Sequence, residues 1–204
     1  MQPNNNLLYG AKTYLIGNLQ AESMDFARQW REKFTEEMES IGVITMSPLD
    51  EVFINFKFES EGFREKMYAC LERGDFETVH REFQAIRRRD LAMVDHSQFV
   101  TCVLNPTIPT FGTIEELAVA VRANRPIFLT LTSGKKTIPL WVAGMVKPEC
   151  IFDSLDDIII RLKAINDGSW PITNENWRIF KEEYLAPDDY GFRDMEVACT
   201  AIYE

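Results

Sequence analysis

Histidine is scarce in this chain. His80 and His96 are the only two in 204 residues, and neither belongs to an HExxH motif. Zinc sites draw their ligands from closely spaced His and Cys, so no metal is expected. The four cysteines, Cys70, Cys102, Cys150 and Cys199, are widely separated and form no CxxC pair. That pattern reads as small buried thiols in a reducing compartment. Basic charge is in deficit: 22 Lys and Arg stand against 32 Asp and Glu, a net charge of −10. A nucleic-acid polymer is therefore not expected as a partner, because neutralising its phosphates needs a cationic surface. A small nucleotide is still allowed, since one pocket need not share the sign of the whole surface. No apolar run approaches the roughly 20 residues that span a bilayer, which argues against a membrane partner. The start, MQPNNNLLYGAKTYLIG, lacks a basic segment followed by a long apolar core and does not read as a signal peptide. The expectation is a soluble, cytoplasmic protein.

What the chain does have is core material. Hydrophobic residues make up 46%, with 14 Phe and 4 Trp, enough for one compact domain over residues 1–204. Thr13–Ile16 is a β-rich run ended by Gly17-Asn18. Phe26, Trp30, Phe34 and Met38 fall four apart between Ser23 and Ser40, which predicts a helix capped by Ser23. Val43–Met46 reads as a second strand, closed by Ser47-Pro48. The β-α-β opening implies parallel pairing. Residues 51–89 read as a mostly helical insertion after that strand, with Phe63, Met67 and Leu71 on one face, a break at Gly74-Asp75, and Val79, Phe83 and Ile86 on the next helix. Arg87-Arg88-Arg89 suits either a phosphate clamp or, more commonly, a solvated helix face. Phe99–Leu104 and Ile127–Leu131 are apolar runs of the kind that form buried strands. Ser133-Gly134-Lys135-Lys136 is a turn without the context of a P-loop. Leu140–Val146 and Ile151-Phe152 predict further strands, and Ser154 caps a helix over Ile158–Ile165. Residues 167–204 form an aromatic tail. The fold class is α/β: a Rossmann-like open sheet, mainly parallel, flanked by helices.

Chemistry concentrates between Arg89 and Pro126. Asp90 sits at a charged helix end before the Phe99–Leu104 strand. Gly112-Thr113 reads as a turn beyond that strand, and Glu115-Glu116 open an apolar helical pattern. Carboxylates so placed lie at the carboxyl edge of a parallel sheet, where α/β folds bind their ligands. In a helix's first turn the backbone dipole keeps Glu116 ionised, which favours a nucleophile or charge stabiliser. Acids there also serve simply as caps. Two carboxylates converging on a sugar suit glycosidic-bond chemistry. Glu115 is the solvent-facing member of the pair.

Tyr14-Leu15-Ile16-Gly17-Asn18, Arg89-Asp90-Leu91 and Gly112-Thr113-Ile114-Glu115-Glu116-Leu117, followed by Ala120 and Asn124-Arg125-Pro126, resemble in order the motifs of the nucleoside 2-deoxyribosyltransferase superfamily. That superfamily includes the 2'-deoxynucleoside 5'-monophosphate N-glycosidases. The resemblance spans roughly Thr13 to Leu131. It implies that Glu116 attacks C1' of the sugar to form a glycosyl-enzyme, that Asp90 contacts the sugar and assists, and that Tyr14 orients the nucleophile. It also implies substrate contacts from Gly17, Asn18, Thr110, Gly112 and Thr113. Thr110 stands where nucleoside transferases carry a base-reading Asp and monophosphate hydrolases a phosphate-binding Ser. Its hydroxyl points to a nucleoside 5'-monophosphate, since an Asp would repel a phosphate. No cofactor is implied, and the assembly implied is a homodimer or larger homo-oligomer. The sequence departs from the family at Asn18, which replaces a proline, at Gln98, which replaces an Asp, and in the first loop, Gly17–Ser23, which lacks the glycine-rich, arginine-bearing sequence of the phosphate-binding relatives. Three alternatives stay open: a transferase of unphosphorylated deoxynucleosides, a non-catalytic nucleotide sensor, and a phosphoribohydrolase of the cytokinin-activating kind. The last of these groups carries a PGG before its GT, which Ile108–Phe111 lacks.

Overall fold

A computed structural model describes residues 6–19, 23–50 and 61–170. Among the described residues, five strands form one all-parallel sheet: β1 (Lys12–Gly17), β2 (Ile44–Met46), β3 (Phe99–Leu104), β4 (Ile127–Leu131) and β5 (Ile151–Phe152), in the order β2-β1-β3-β4-β5. Every residue of β3 and β4 is buried, as expected of strands covered by helices on both faces. Thr13 pairs with Phe99 and Val100 with Ile127, so β1, β3 and β4 form the centre of the sheet. Phe99, Phe128 and Phe152 line up across it, with ring centroids 5.6 and 6.1 Å apart.

The helices follow from their caps and stripes. Helix α1 (Met24–Glu39) starts at Ser23, whose side chain accepts from the Phe26 amide, and buries Ala27, Trp30, Arg31, Phe34 and Met38. Helices α2 (Glu61–Glu72) and α3 (Phe76–Asp95) are joined by Gly74, at φ +76°, and Asp75, whose carboxylate accepts from the Thr78 amide at 3.1 Å. A positive φ favours glycine at that joint. Together they form the crossover from β2 to β3, and α3 runs unbroken past Asp90. Helix α4 (Phe111–Arg122) follows β3, the short α5 (Leu140–Ala143) follows β4, and α6 (Leu155–Asn166) starts at Ser154, which accepts from the Asp157 amide.

Two expectations are corrected. Leu140–Val146 is not a strand: α5 occupies Leu140–Ala143 and Gly144 ends it. The buried residues there are Val142 and Val146, four apart, whereas Leu140 and Trp141 are 91% and 77% exposed. That is helical spacing without the alternation a strand requires. Gly112-Thr113 is not a turn either. Thr110 is the extended residue (φ −142°, ψ 91°) before α4, so the helix begins at Phe111 and Glu116 lies in its second turn. The dipole effect fades beyond the first turn, so the helix start does not act on this carboxylate as expected. Residues 51–60 and 171–204, which hold the start of the expected insertion and most of the tail, lie outside the described residues.

The sheet order matters for the site. The chain leaves β1 toward β2 on one side and returns to build β3, β4 and β5 on the other. Helices after neighbouring strands β1 and β3 therefore diverge, and a crevice opens at their carboxyl ends.

Candidate active site

Glu116 reaches that crevice because of its place on α4. Thr113, Glu116, Leu117 and Ala120 are the buried residues of the helix, the i, i+3, i+4, i+7 stripe that faces a core. Glu116 is 8% exposed. Glu115, one step round the helix, faces the rim and is gripped by the Arg87 guanidinium, with Nε 2.6 Å from Oε2. Arg87 holds the Glu115 carboxyl below its ordinary range. The helix register thus separates the two acids, and the solvent-side placing of Glu115 agrees with expectation.

Tyr14 comes up from β1. It is 1% exposed, and its hydroxyl donates to Glu116 Oε1 at 2.9 Å. Burial raises the phenol well above its ordinary pKa; the charges of Glu116 and Asp90 and the bond to Glu116 add to this, and Arg31 opposes it. Tyr14 therefore stays protonated and acts only as a donor. Asp90 enters from α3 and lines the same cavity as Tyr14 and Glu116. Arg89 holds Asp90 Oδ1 from Nε at 2.8 Å and from Nη2 at 2.7 Å. Burial raises the Asp90 carboxyl, against the pull of Arg89 and Arg31. A carboxyl poised that way can hold a proton or accept one from a sugar hydroxyl.

The cavity is about 520 Å³, within the range of roughly 300–1,000 Å³ that takes a small organic ligand. Gly17, Thr110, Gly112 and Thr113, all expected at the substrate, line it. Thr110 Oγ1 donates to Thr113 Oγ1 at 2.7 Å. Gly17 is required where it stands: a Cβ there would lie 2.8 Å from the Val103 carbonyl oxygen and 3.1 Å from the Trp30 ring. Asn18 is placed differently. Its Oδ1 accepts from the Asn105 amide at 2.8 Å, and its Nδ2 donates to the Asn105 and Ile108 carbonyls at 3.3 and 3.4 Å. Asn18 thus ties the loop after β3 to the end of β1. Gln98 is structural as well, its Oε1 accepting from the Lys12 amide at 2.6 Å.

Several lining residues went unnoticed in the sequence. His80, Phe83 and Gln84 of α3 join Arg87 and Asp90 on the cavity wall. Their spacing already traced one helical face, but only its apolar members were read as such. Arg31 is buried behind β1, and its signal was a charge inside the apolar stripe of α1. Among the described residues, no group of three His, Cys, Asp or Glu is placed to hold a metal ion, and no helix is long and apolar enough to cross a membrane.

No protein-family model and no curated protein matches the sequence. Among solved structures, the chain is similar to a 2-deoxyribosyltransferase from the psychrotolerant bacterium Bacillus psychrosaccharolyticus. The identity is 17% over 73% of this chain and 90% of that one, with a TM-score of 0.47. It is also similar to the CMP N-glycosidase BcmB of Clostridium botulinum, at 12% identity over 76% of this chain and 98% of that one, with a TM-score of 0.43.

Proposed function

We propose that this protein cleaves the N-glycosidic bond of a 2'-deoxynucleoside 5'-monophosphate, by hydrolysis or by transfer to a second base. The observation that carries the reading is the buried Tyr14–Glu116 hydrogen bond of 2.9 Å, in a nucleotide-sized cavity that also takes Asp90. A carboxylate fixed through one oxygen presents the other to an electrophile. In the first step a Glu116 oxygen bonds to C1' as the C1'–N bond breaks. The electron pair leaves with the base, which takes up a proton. Water or a second base then attacks C1' and frees Glu116, its own proton passing to a general base. Tyr14 steadies the carboxylate throughout, and Asp90 engages the sugar hydroxyls or handles the proton. Thr110, which lines the cavity, offers its hydroxyl to the phosphate in this reading.

The charge on the cavity wall favours a second reading, in which the substrate is an unphosphorylated deoxynucleoside. Asp90, Glu115 and Glu116 all line the cavity, and Arg87 is engaged by Glu115. A phosphate dianion would have to compete for that arginine. Incubation with deoxynucleosides and with their monophosphates, followed by chromatography for free base, tests both readings. Base release from monophosphates that Glu116→Ala abolishes supports the first. Release from nucleosides alone supports the second. Binding without release from either refutes both. A second base added to the mixture distinguishes transfer from hydrolysis.

A further inference from the structure

The arginine run of α3 is only partly absorbed by the steps above. Arg89 is taken up by Asp90. Arg87 reaches over to α4 instead, where its Nε donates to Glu115 Oε2 at 2.6 Å and its Nη2 to Oε1. Two donors on the two oxygens of one carboxylate form the fork that a guanidinium offers equally well to a phosphate.

Both partners of this bridge line the cavity. Arg87 comes three residues before Asp90 on α3, so the two side chains are neighbours on the helix surface. Glu115 directly precedes Glu116 on α4. The bridge therefore stands beside the two carboxylates assigned to the sugar. Among the described residues that line the cavity, Arg87 is the only Lys or Arg, against the acids Asp90, Glu115 and Glu116. A phosphomonoester carries about −1.5 to −2 near neutral pH, and in such surroundings it needs that cation. Glu115 holds the arginine loosely. The Arg87 side chain is well exposed and that of Glu115 partly so, and an ion pair in that setting shifts an equilibrium by about fivefold or less. A carboxylate with one charge can yield the guanidinium to a phosphate with nearly two and turn outward into water.

We propose that Arg87 is the phosphate-recognition residue of this site and that Glu115 is its resident competitor. The 5'-phosphate of the substrate displaces the Glu115 carboxylate from the guanidinium, whereas an unphosphorylated deoxynucleoside binds with the bridge intact. This rests on the monophosphate reading of the proposed function. The fork is specific to arginine, so the exchange trades one bidentate partner for another.

Isothermal titration calorimetry in a Glu116→Gln background, which removes the proposed nucleophile, measures Kd for the common 2'-deoxynucleosides and for their 5'-monophosphates. Arg87→Gln, Glu115→Gln and the two together are added to that background, with thermal unfolding as a check on folding. Arg87→Gln raises the monophosphate Kd about tenfold to a hundredfold, the worth of hydrogen bonds to a charged group, and leaves the nucleoside Kd within about twofold. Glu115→Gln acts in the opposite direction, lowering the monophosphate Kd about two- to fivefold with nucleosides again unmoved. With both changes most of that gain disappears, because no guanidinium is left to release. A folded Arg87→Gln protein that binds monophosphates as before overturns the proposal. So does an equal loss for nucleosides, which would mark a structural role, and so does a site that takes no monophosphate at all. Where Arg87→Gln does not fold, Glu115→Gln decides: a gain confined to monophosphates supports the exchange, and unchanged affinity refutes it. Base-release assays on the proteins that retain Glu116 keep the two claims apart. Monophosphates bound through Arg87 without base release sink the glycosidic reading and leave the phosphate site standing. Base release from nucleosides alone, with monophosphates unbound, sinks the phosphate site and leaves glycosidic cleavage standing.

Discussion

Replacing Tyr14 by Phe removes one hydroxyl and keeps the ring that fills a site only 1% exposed. The hydroxyl's contact is the 2.9 Å bond to Glu116 Oε1. A hydrogen bond to a charged acceptor is worth about 1.5–3 kcal/mol. If that alignment is needed in the transition state, kcat falls about tenfold to a little over a hundredfold. KM changes little, because the hydroxyl is turned to the nucleophile rather than to the substrate. At pH values where Glu116 is ionised in both proteins, the ratio of wild type to Tyr14→Phe is also flat with pH, since burial and the neighbouring carboxylates raise the phenol well above its ordinary pKa. Single-turnover base release across the working pH range measures both quantities, with circular dichroism as a check on folding. A variant within twofold of wild type would refute the orienting role, and a ratio that climbs with pH would show the phenol titrating in catalysis.

Gly17→Ala places a Cβ 2.8 Å from the Val103 carbonyl oxygen; such crowding costs about 1–3 kcal/mol, read as a lower urea midpoint together with lost base release. Asp90 is raised by burial, so its neutral form is favoured on folding, and its contribution is full below the unfolded pKa and lost as pH rises through the folded one. Asp90→Asn accordingly gains stability relative to wild type as the pH rises from about 4; a flat or opposite difference in denaturation curves would contradict this. Arg87 and Glu115 are 57% and 36% exposed at their side chains, so a double-mutant cycle in thermal unfolding gives a coupling of about 1 kcal/mol or less. That coupling shrinks with added salt.

The central sheet was legible because strands covered on both faces must be apolar throughout. Phe99–Leu104 and Ile127–Leu131 therefore announced themselves with their boundaries intact. Ser23 and Ser154 marked helix starts, since each satisfies an amide that the helix leaves unbonded, while Asp75, read only as part of a break, caps the next helix in the same way. Leu140–Val146 misled because an apolar run of that length fits either period, and only burial shows which residues face inward. The start of α4 was misplaced because glycine suggests a turn, while here Gly112 sits inside the helix with open space where a Cβ would go. Of the site, Tyr14, Asp90 and Glu116 were named beforehand, and they line one cavity. The burial of Arg31 was missed because the carbonyl it bonds to, that of Leu15, lies 16 residues away on another element, a pairing that no local pattern encodes. The wall formed by α3 was missed because helix packing decides which face meets the crevice.

The covalent step is the most direct point of attack. Acid quenching during turnover, proteolysis and mass spectrometry of the peptide that carries Glu115 and Glu116 would show whether a sugar is attached. The account predicts a deoxyribosyl or deoxyribosyl-phosphate adduct on Glu116, absent from Glu116→Gln and more abundant when water is the poorer acceptor. Base release at the wild-type rate from Glu116→Gln, or an adduct on Glu115 instead, would contradict it.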